Sequence, residues 1–261
     1  WLDQEIEMSW MKEYVEKSDC GLTVLQTNGD SVKTILYCEE QFLKGKNVRP
    51  QFPGRNVGLM FGLESSLHPF IGHPSYKEIS HLPLNERLSI MRDPAFKQKI
   101  LNESPSFRED LQKAAKEQKS NKTKEEIKAE AEIGKKLISN YETQFILSDP
   151  PNYEPTREDS ITYLAEQRNQ SEEEVIYDEL IKDNGKSLIY ACFTSYENHK
   201  LEFVETFYKL KSSVAGGSDG GAHCGLICDA SMPTTNLSHW ARDRSAGNKI
   251  PLELIIRKQT K

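Results

Sequence analysis

Ile6, Trp10, Met11 and Tyr14 recur at helical spacing among charged residues, which predicts an amphipathic helix over roughly residues 3–17. Asp19-Cys20-Gly21 ends it. The apolar, β-branched run Gly21–Gln26 then predicts a short buried strand. Val32, Ile35, Leu36 and Phe42 mark a second helix, closed by Gly45. A second strand is expected over Asn47–Phe52, and Val57–Leu63 extends the same layer. Helix and strand alternating at this spacing predict parallel strands and an α/β architecture.

Residues 64–150 break the alternation. Pro69, Pro74, Pro83, Pro94 and Pro105 punctuate short helical segments such as Asn85–Met91 and Pro94–Leu101. Between Arg108 and Lys136, 16 of 29 residues are charged, with both signs present. Such a stretch suits a solvated surface helix pair, or else a lid over a site. The alternation then returns. Thr156-x-x-Asp159 and Ser171-x-x-Glu174 are capping-box patterns opening two helices that carry Ile161, Leu164, Val175, Ile176 and Leu180. Asp183-Asn-Gly185 stops the second. The continuous run Lys186–Phe193 is the clearest strand in the chain, as expected where both faces are covered. Leu201, Val204, Phe207 and Tyr208 define the next helix face. A last short strand is expected near Ser213–Gly217, and Pro251 suits the first position of a closing helix, Leu252–Arg257. The total is four βα units with one large insertion, and no internal repeat.

Composition narrows the classes. The chain has 261 residues, with 34 Lys+Arg against 40 Asp+Glu and a net charge of −6. An acidic balance argues against nucleic acid as a partner, because phosphate recognition needs a basic face. No apolar run approaches the length of a membrane span, and no secretory signal pattern opens the chain. Five cysteines (Cys20, Cys38, Cys192, Cys224, Cys228) are sparse and odd in number, which fits a reducing, cytoplasmic setting. Trp1, not Met, leads straight into a helical pattern, so the chain reads as part of something longer.

One segment stands apart: Ala215-Gly-Gly-Ser-Asp-Gly-Gly-Ala-His-Cys-Gly-Leu-Ile-Cys-Asp-Ala230. Four glycines around Ser218-Asp219 let the backbone turn sharply and approach a ligand closely. An aspartate just beyond a parallel strand's C-terminal end sits where α/β enzymes place active groups. Asp219 is therefore a candidate metal ligand or proton acceptor. A solvent turn also uses glycine and aspartate. Gly216-Gly-Ser218-Asp-Gly220 matches G-x-S-x-G as well, the pattern of a nucleophilic serine on a strand-to-helix elbow. Asp229 and His239 are its available acid and histidine, although Gly220-Gly221 makes a poor helix start.

The six histidines form no H-x-H or H-E-x-x-H pair, and no C-x-x-C exists. His68 and His73 lie in a proline-rich loop, His81 near a helix end, His199 after the Lys186–Phe193 strand, and His223 and His239 around the glycine segment. Cys224-x-x-x-Cys228 lacks a second pair and suits packing better than zinc. Arg49 and Arg55 are candidates for a substrate carboxylate, or for surface salt bridges.

The glycine segment and its flanks resemble a known family. Val214–Gly225 and Cys228-Asp-Ala-Ser-Met-Pro-Thr-Thr235 are similar to the last barrel strand of the D-aminoacylase-like amidohydrolases. His239-Trp-Ala-Arg-Asp-Arg-Ser-Ala-Gly247, Lys249-Ile-Pro-Leu-Glu253 and Val48-Arg-Pro-Gln-Phe52 resemble the same group. So do Val57–Phe70, Leu82–Arg87 and Met91-Arg-Asp-Pro94. The resemblance touches most of the chain, and Ser-Asp-Gly-Gly-Ala-His223 is its most specific string.

The resemblance implies an α/β fold, the second half of a TIM-like (β/α)8 barrel with a large, mostly helical insertion. Residues 1–63 would carry the fifth and sixth strands, 64–150 the insertion, and 151–261 the seventh and eighth strands. The family hydrolyses the amide of N-acyl-D-amino acids with zinc, and its last-strand aspartate maps onto Asp219 as metal ligand and acid/base. Ser218, Gly220, Gly221 and His223 would shape the pocket, with Tyr196 and Asn198 contacting a small N-acyl amino acid. The first-strand H-x-H and the histidines expected on the fifth and sixth strands have no counterpart here. Most zinc ligands are then expected upstream, and the isolated chain is expected to be inactive. Two other functions remain open: a serine hydrolase using Ser218, and a non-catalytic barrel relative that binds a ligand.

Overall fold

A computed structural model describes residues 4–26, 32–106, 123–196, 198–222, 224–227 and 229–260. In chain order the elements begin with helix α1 (Gln4–Lys17), strand β1 (Leu22–Leu25), helix α2 (Val32–Leu43) and strands β2 (Val48–Pro53) and β3 (Val57–Phe61). Helices α3 (Pro74–Ile79), α4 (Leu84–Met91), α5 (Pro94–Leu101) and α6 (Lys124–Ile138) follow. Then come β4 (Gln144–Ile146), α7 (Ile161–Arg168), α8 (Glu172–Leu180), β5 (Ile189–Thr194), α9 (Glu202–Lys209) and β6 (Val214–Gly216). The chain closes with α10 (Met232–Thr235), a π-helical stretch (Asn236–Asp243) and α11 (Leu252–Thr260).

These elements form two compact units. The first comprises Trp1–Val57, Thr194–Ala222 and Cys228–Lys261. Its sheet has the order β1-β2-β6 and is parallel throughout. Leu22 to Leu25 pair with Val48 to Gln51, and Gln51, Phe52 and Pro53 pair with Val214, Ala215 and Gly216. Parallel strands need helical crossovers, and the sheet's apolar residues meet them. Val48 packs with Cys38 of α2 and Val15 of α1. Phe52 is fully buried, stacked on Phe207 at 5.2 Å and edge-on to Tyr208 at 5.0 Å, both from α9. Burying such a ring contributes roughly 2–3 kcal/mol. Burial also pushes the Cys38 thiol up to about 11, so it behaves as a small apolar group.

The second unit comprises Gly58–Phe193 and His223–Ile227. Its sheet has the order β3-β5-β4, with β4 and β5 antiparallel (Gln144↔Ala191, Phe145↔Tyr190, Ile146↔Ile189). The Lys186–Phe193 run thus forms a strand, but β5 lies between β3 and β4, while β2 pairs directly with β6. Gly58 on β3 makes room for it, since a side chain there would overlap the Tyr190 ring. The core gathers Phe61, Phe70, Ile161, Val175, Ile176, Tyr177, Leu180 and Ile189. Residues 64–150, expected as an insertion, lie inside this unit, which also takes in β3 and β5.

Local sequence explains the helix ends. Asp93 caps α5 by accepting from the Ala95 amide at 2.9 Å, with Pro94 at the first helical position. Ser171 caps α8 at the Glu174 amide, and Glu172, Glu173 and Glu174 suit the positive end of that helix. Thr156 and Asp159 make a reciprocal capping box, but around a single 3₁₀ turn. Helix α7 starts only at Ile161, because Ser160 takes over as cap to the Tyr163 amide. Of the charged stretch from Arg108, residues 108–122 lie outside the described residues. The remainder is α6, with Ile127, Ala131 and Ile138 buried along one face. No helix among the described residues is long and apolar enough to cross a membrane.

Candidate functional site

The C-terminal ends of β1, β2 and β6 lie side by side at Leu25, Pro53 and Gly216. In parallel α/β sheets this is the edge where ligands bind. A lone amide closes β1: Gln26 is 3% exposed, its amide nitrogen donates to the Leu25 carbonyl at 3.1 Å, and Oε1 has no hydrogen-bond partner among the described residues. The Gln51 side chain crosses Gly216 so closely that any Cβ there would overlap it. Small residues at the end of β6 are thus a packing requirement as well as a turn signal.

Beyond Gly216 the chain reverses in a tight turn. Gly217, Asp219 and Gly221 all have positive φ (77°, 45° and 91°), and the Ala222 amide donates to the Asp219 carbonyl at 2.9 Å. Aspartate tolerates the left-handed region better than most residues, yet a non-glycine held there carries strain that tends to persist at functional sites. Asp219 is exposed and Ser218 half-buried. The carboxylate therefore stands just beyond a strand end, open to water. Ser218, Asp219, Gly220 and Gly221 share this one turn. His223 lies outside the described residues.

A second strained segment follows β5 in the same unit. Ser195, Asn198 and His199 have φ of 63°, 52° and 56°. Tyr196 is buried at 7% exposure with its ring edge-on to His199, 6.2 Å between centroids, and Asn198 is exposed. Tyr196 and Asn198 thus occupy a strand-end segment of unusual backbone.

The serine-elbow pattern meets a different geometry. An elbow requires a helix directly after its nucleophile. Here residues 220–222 and 224–226 are turns, and the first helical residues past Ser218 among the described ones begin at Asp229. Asp229 itself is 2% exposed and ion-paired to Arg55 at 2.8 Å. Arg55, fully buried, donates further to the Asn56 carbonyl (3.1 Å) and Ser231 Oγ (3.4 Å). It is therefore not a surface ion pair. Neighbouring Gly54 is packed tightly: its carbonyl accepts from Trp240 Nε1 at 2.6 Å, and a side chain there would overlap Asn236. Sequence patterning does not link these residues, which are some 174 positions apart at Arg55 and Asp229.

The histidines divide in the same way. His68 is buried in the second unit, its Nδ1 accepting from the Phe70 amide at 3.3 Å and its ring 4.5 Å from Tyr76. Burial, then the nearby Arg87 charge, pushes its pKa down to about 3. Such a ring is a core group. His73 is also buried there, His239 is half-buried beside Trp240, and His81 is exposed. Cys224 is an exposed thiol, and Cys228 lies outside the described residues. Among the described residues no three His, Cys, Asp or Glu side chains are grouped to hold a metal ion. The described donors do not make a zinc site by themselves; Asp219 offers one carboxylate.

No protein-family model, curated protein or solved structure matches the chain.

Proposed function

We propose that this chain is the C-terminal part of an amidohydrolase barrel that hydrolyses the amide of N-acyl-D-amino acids or similar N-acyl substrates, with Asp219 as acid/base. The observation that carries this reading is the placement of Asp219. Its carboxylate sits in a strained glycine turn immediately after the C-terminal end of a parallel strand, within the string that resembles the D-aminoacylase-like family. An exposed carboxylate there can take a proton from a water attacking the acyl carbonyl, then deliver it to the departing nitrogen. The products are a carboxylate and a free amino acid. Tyr196, Asn198, Ser218, Gly220, Gly221 and His223 are the proposed substrate contacts. On the same reading β1, β2 and β6 are barrel strands and the site is cytoplasmic; the direct pairing of β2 with β6 leaves no seventh strand between them, so β5, which lies between β3 and β4, is outside that run. Zinc belongs to this reading as a group to which Asp219 contributes one ligand, with the others supplied from outside the described residues.

Hydrolysis of N-acetyl-D-amino acids by the natural full-length protein, read as release of free amino acid, tests the proposal. Turnover that survives Ser218→Ala is expected. Absence of turnover on every N-acyl amino acid overturns the reading, and loss of activity in Ser218→Ala with phosphonate labelling of Ser218 replaces it with the serine hydrolase.

A further inference from the structure

We propose that Leu25 and Gln51 read the acyl end of the substrate, Leu25 bearing an aliphatic acyl chain of several carbons and Gln51 the amide beside it, an inference that rests on the acid/base reading of Asp219. The register of the first unit's sheet sets the two on one face. Leu25 pairs with Gln51 and Gln51 with Val214, so the three side chains form one row across β1, β2 and β6. Phe52, next along β2, belongs to the other face, where Phe207 and Tyr208 of α9 cover it. The row is left far more open: Leu25 keeps 55% of its surface exposed, and Gln51 and Val214 are half-buried. An exposed leucine alone says little. Its position says more.

Both side chains border the glycines that lead to Asp219. A Cβ on Gly216 would overlap Gln51 Nε2, so the amide fills the space that a side chain at the end of β6 would take. A Cβ on Gly217 would lie 3.7 Å from Leu25 Cδ1 and 3.9 Å from Pro53 Cβ, so Leu25 and the end of β2 flank the first residue of the turn. Asp219 follows two residues later, and among the described residues a Cβ on Gly221 would meet nothing within 4 Å. An apolar side chain and a neutral amide therefore stand together just before the carboxylate. That mixture fits the two parts of an N-acyl group. A primary amide donates to an acyl oxygen and accepts from an amide N–H, whereas a free carboxylate calls for a cation. Leucine offers apolar contact alone, which a chain of several carbons uses and an acetyl group hardly touches.

Turnover and binding by the natural full-length protein test this separately. For N-hexanoyl-D-alanine, kcat/KM is expected to fall about 10-fold in Leu25→Ala, while N-acetyl-D-alanine stays within about twofold of the wild type. Gln51→Leu, which keeps the bulk over Gly216, is expected to lower both about 10-fold. Equal losses on the two substrates in Leu25→Ala, or no loss in Gln51→Leu, overturn the inference. Binding is read in Asp219→Asn as NMR shifts of the Leu25 methyls and the Gln51 side-chain amide. N-hexanoyl-D-alanine is expected to move both, and N-acetyl-D-alanine only the amide. These shifts need no substitution at either residue, so they decide the matter even where a variant fails to fold. If either signal stays still with the hexanoyl compound, the inference fails whatever the turnover. If both move yet the wild type hydrolyses no N-acyl amino acid, the contacts stand and the acid/base reading fails.

Discussion

Glu205 on α9 offers a perturbation whose size follows from its surroundings. Its carboxylate accepts from Lys209 Nζ at 2.9 Å, Arg244 Nη1 at 3.0 Å and Asn248 Nδ2 at 3.3 Å. Arg244 is only 4% exposed, and it also donates to the Asn248 carbonyl and lies over the Trp240 ring at 4.3 Å. The Lys209 hydrogen bond, with those from Arg244 and Asn248, outweighs burial and pulls the Glu205 pKa from 4.5 to about 2. A depression of about 2.5 units at about 1.36 kcal/mol per unit corresponds to roughly 3 kcal/mol of native-state stability. Lys209 is largely exposed, so solvent screening brings that nearer 2 kcal/mol. Because the folded pKa is the lower one, this stability is fully present above the unfolded value near 4.5, and it is lost as pH falls through about 2. Glu205→Gln should therefore destabilise the protein by about 2–3 kcal/mol near pH 7 and by clearly less near pH 3. Urea unfolding followed by tryptophan fluorescence at both pH values measures the difference. Equal destabilisation at the two pH values would refute the electrostatic account and leave only lost packing.

Other outcomes follow from packing and burial. Gly54→Ala forces a methyl into the Asn236 side chain and should lower unfolding free energy by roughly 2–4 kcal/mol. Gly134→Ala, on α6 with nothing within 4 Å of the new carbon, should raise it by about 0.5–1 kcal/mol; the pair of urea midpoints checks both. The buried His68 imidazole should stay neutral well below the ordinary histidine range, its NMR shifts unmoved down to about pH 4. Titration near pH 6.5 would mean the ring is solvated.

Local chemistry was well marked in the sequence. Pro94 after Asp93, Ser171 before three glutamates and the Gly216–Gly221 turn each specify a conformation through near neighbours, and the observed elements begin and end there. What depends on distant partners was hidden. The apolar run at β5 is equally compatible with either sheet, and the choice rests on room made at Gly58 for Tyr190. Thr156-x-x-Asp159 has the pattern of a helix start, yet Ser160, one residue on, offers the better-placed cap. Arg55 could be read as a partner for a substrate carboxylate or as a surface charge, because nothing in its own stretch shows its burial with Asp229. Of the candidate site, Asp219 and its glycines were legible as a turn at a strand end. The Gln51 side chain over Gly216 and the buried Gln26 Oε1, without a partner among the described residues, were not, since only the register of β1, β2 and β6 brings them to that edge.

Asp219→Asn tests the central claim most directly. Asparagine tolerates the left-handed backbone as aspartate does, so the turn is preserved while the proton acceptor is lost. With the natural full-length protein and an N-acyl-D-amino acid, the acid/base role predicts a fall in kcat of about 100-fold or more with folding stability unchanged. A variant that turns over within about twofold of the wild type would contradict it.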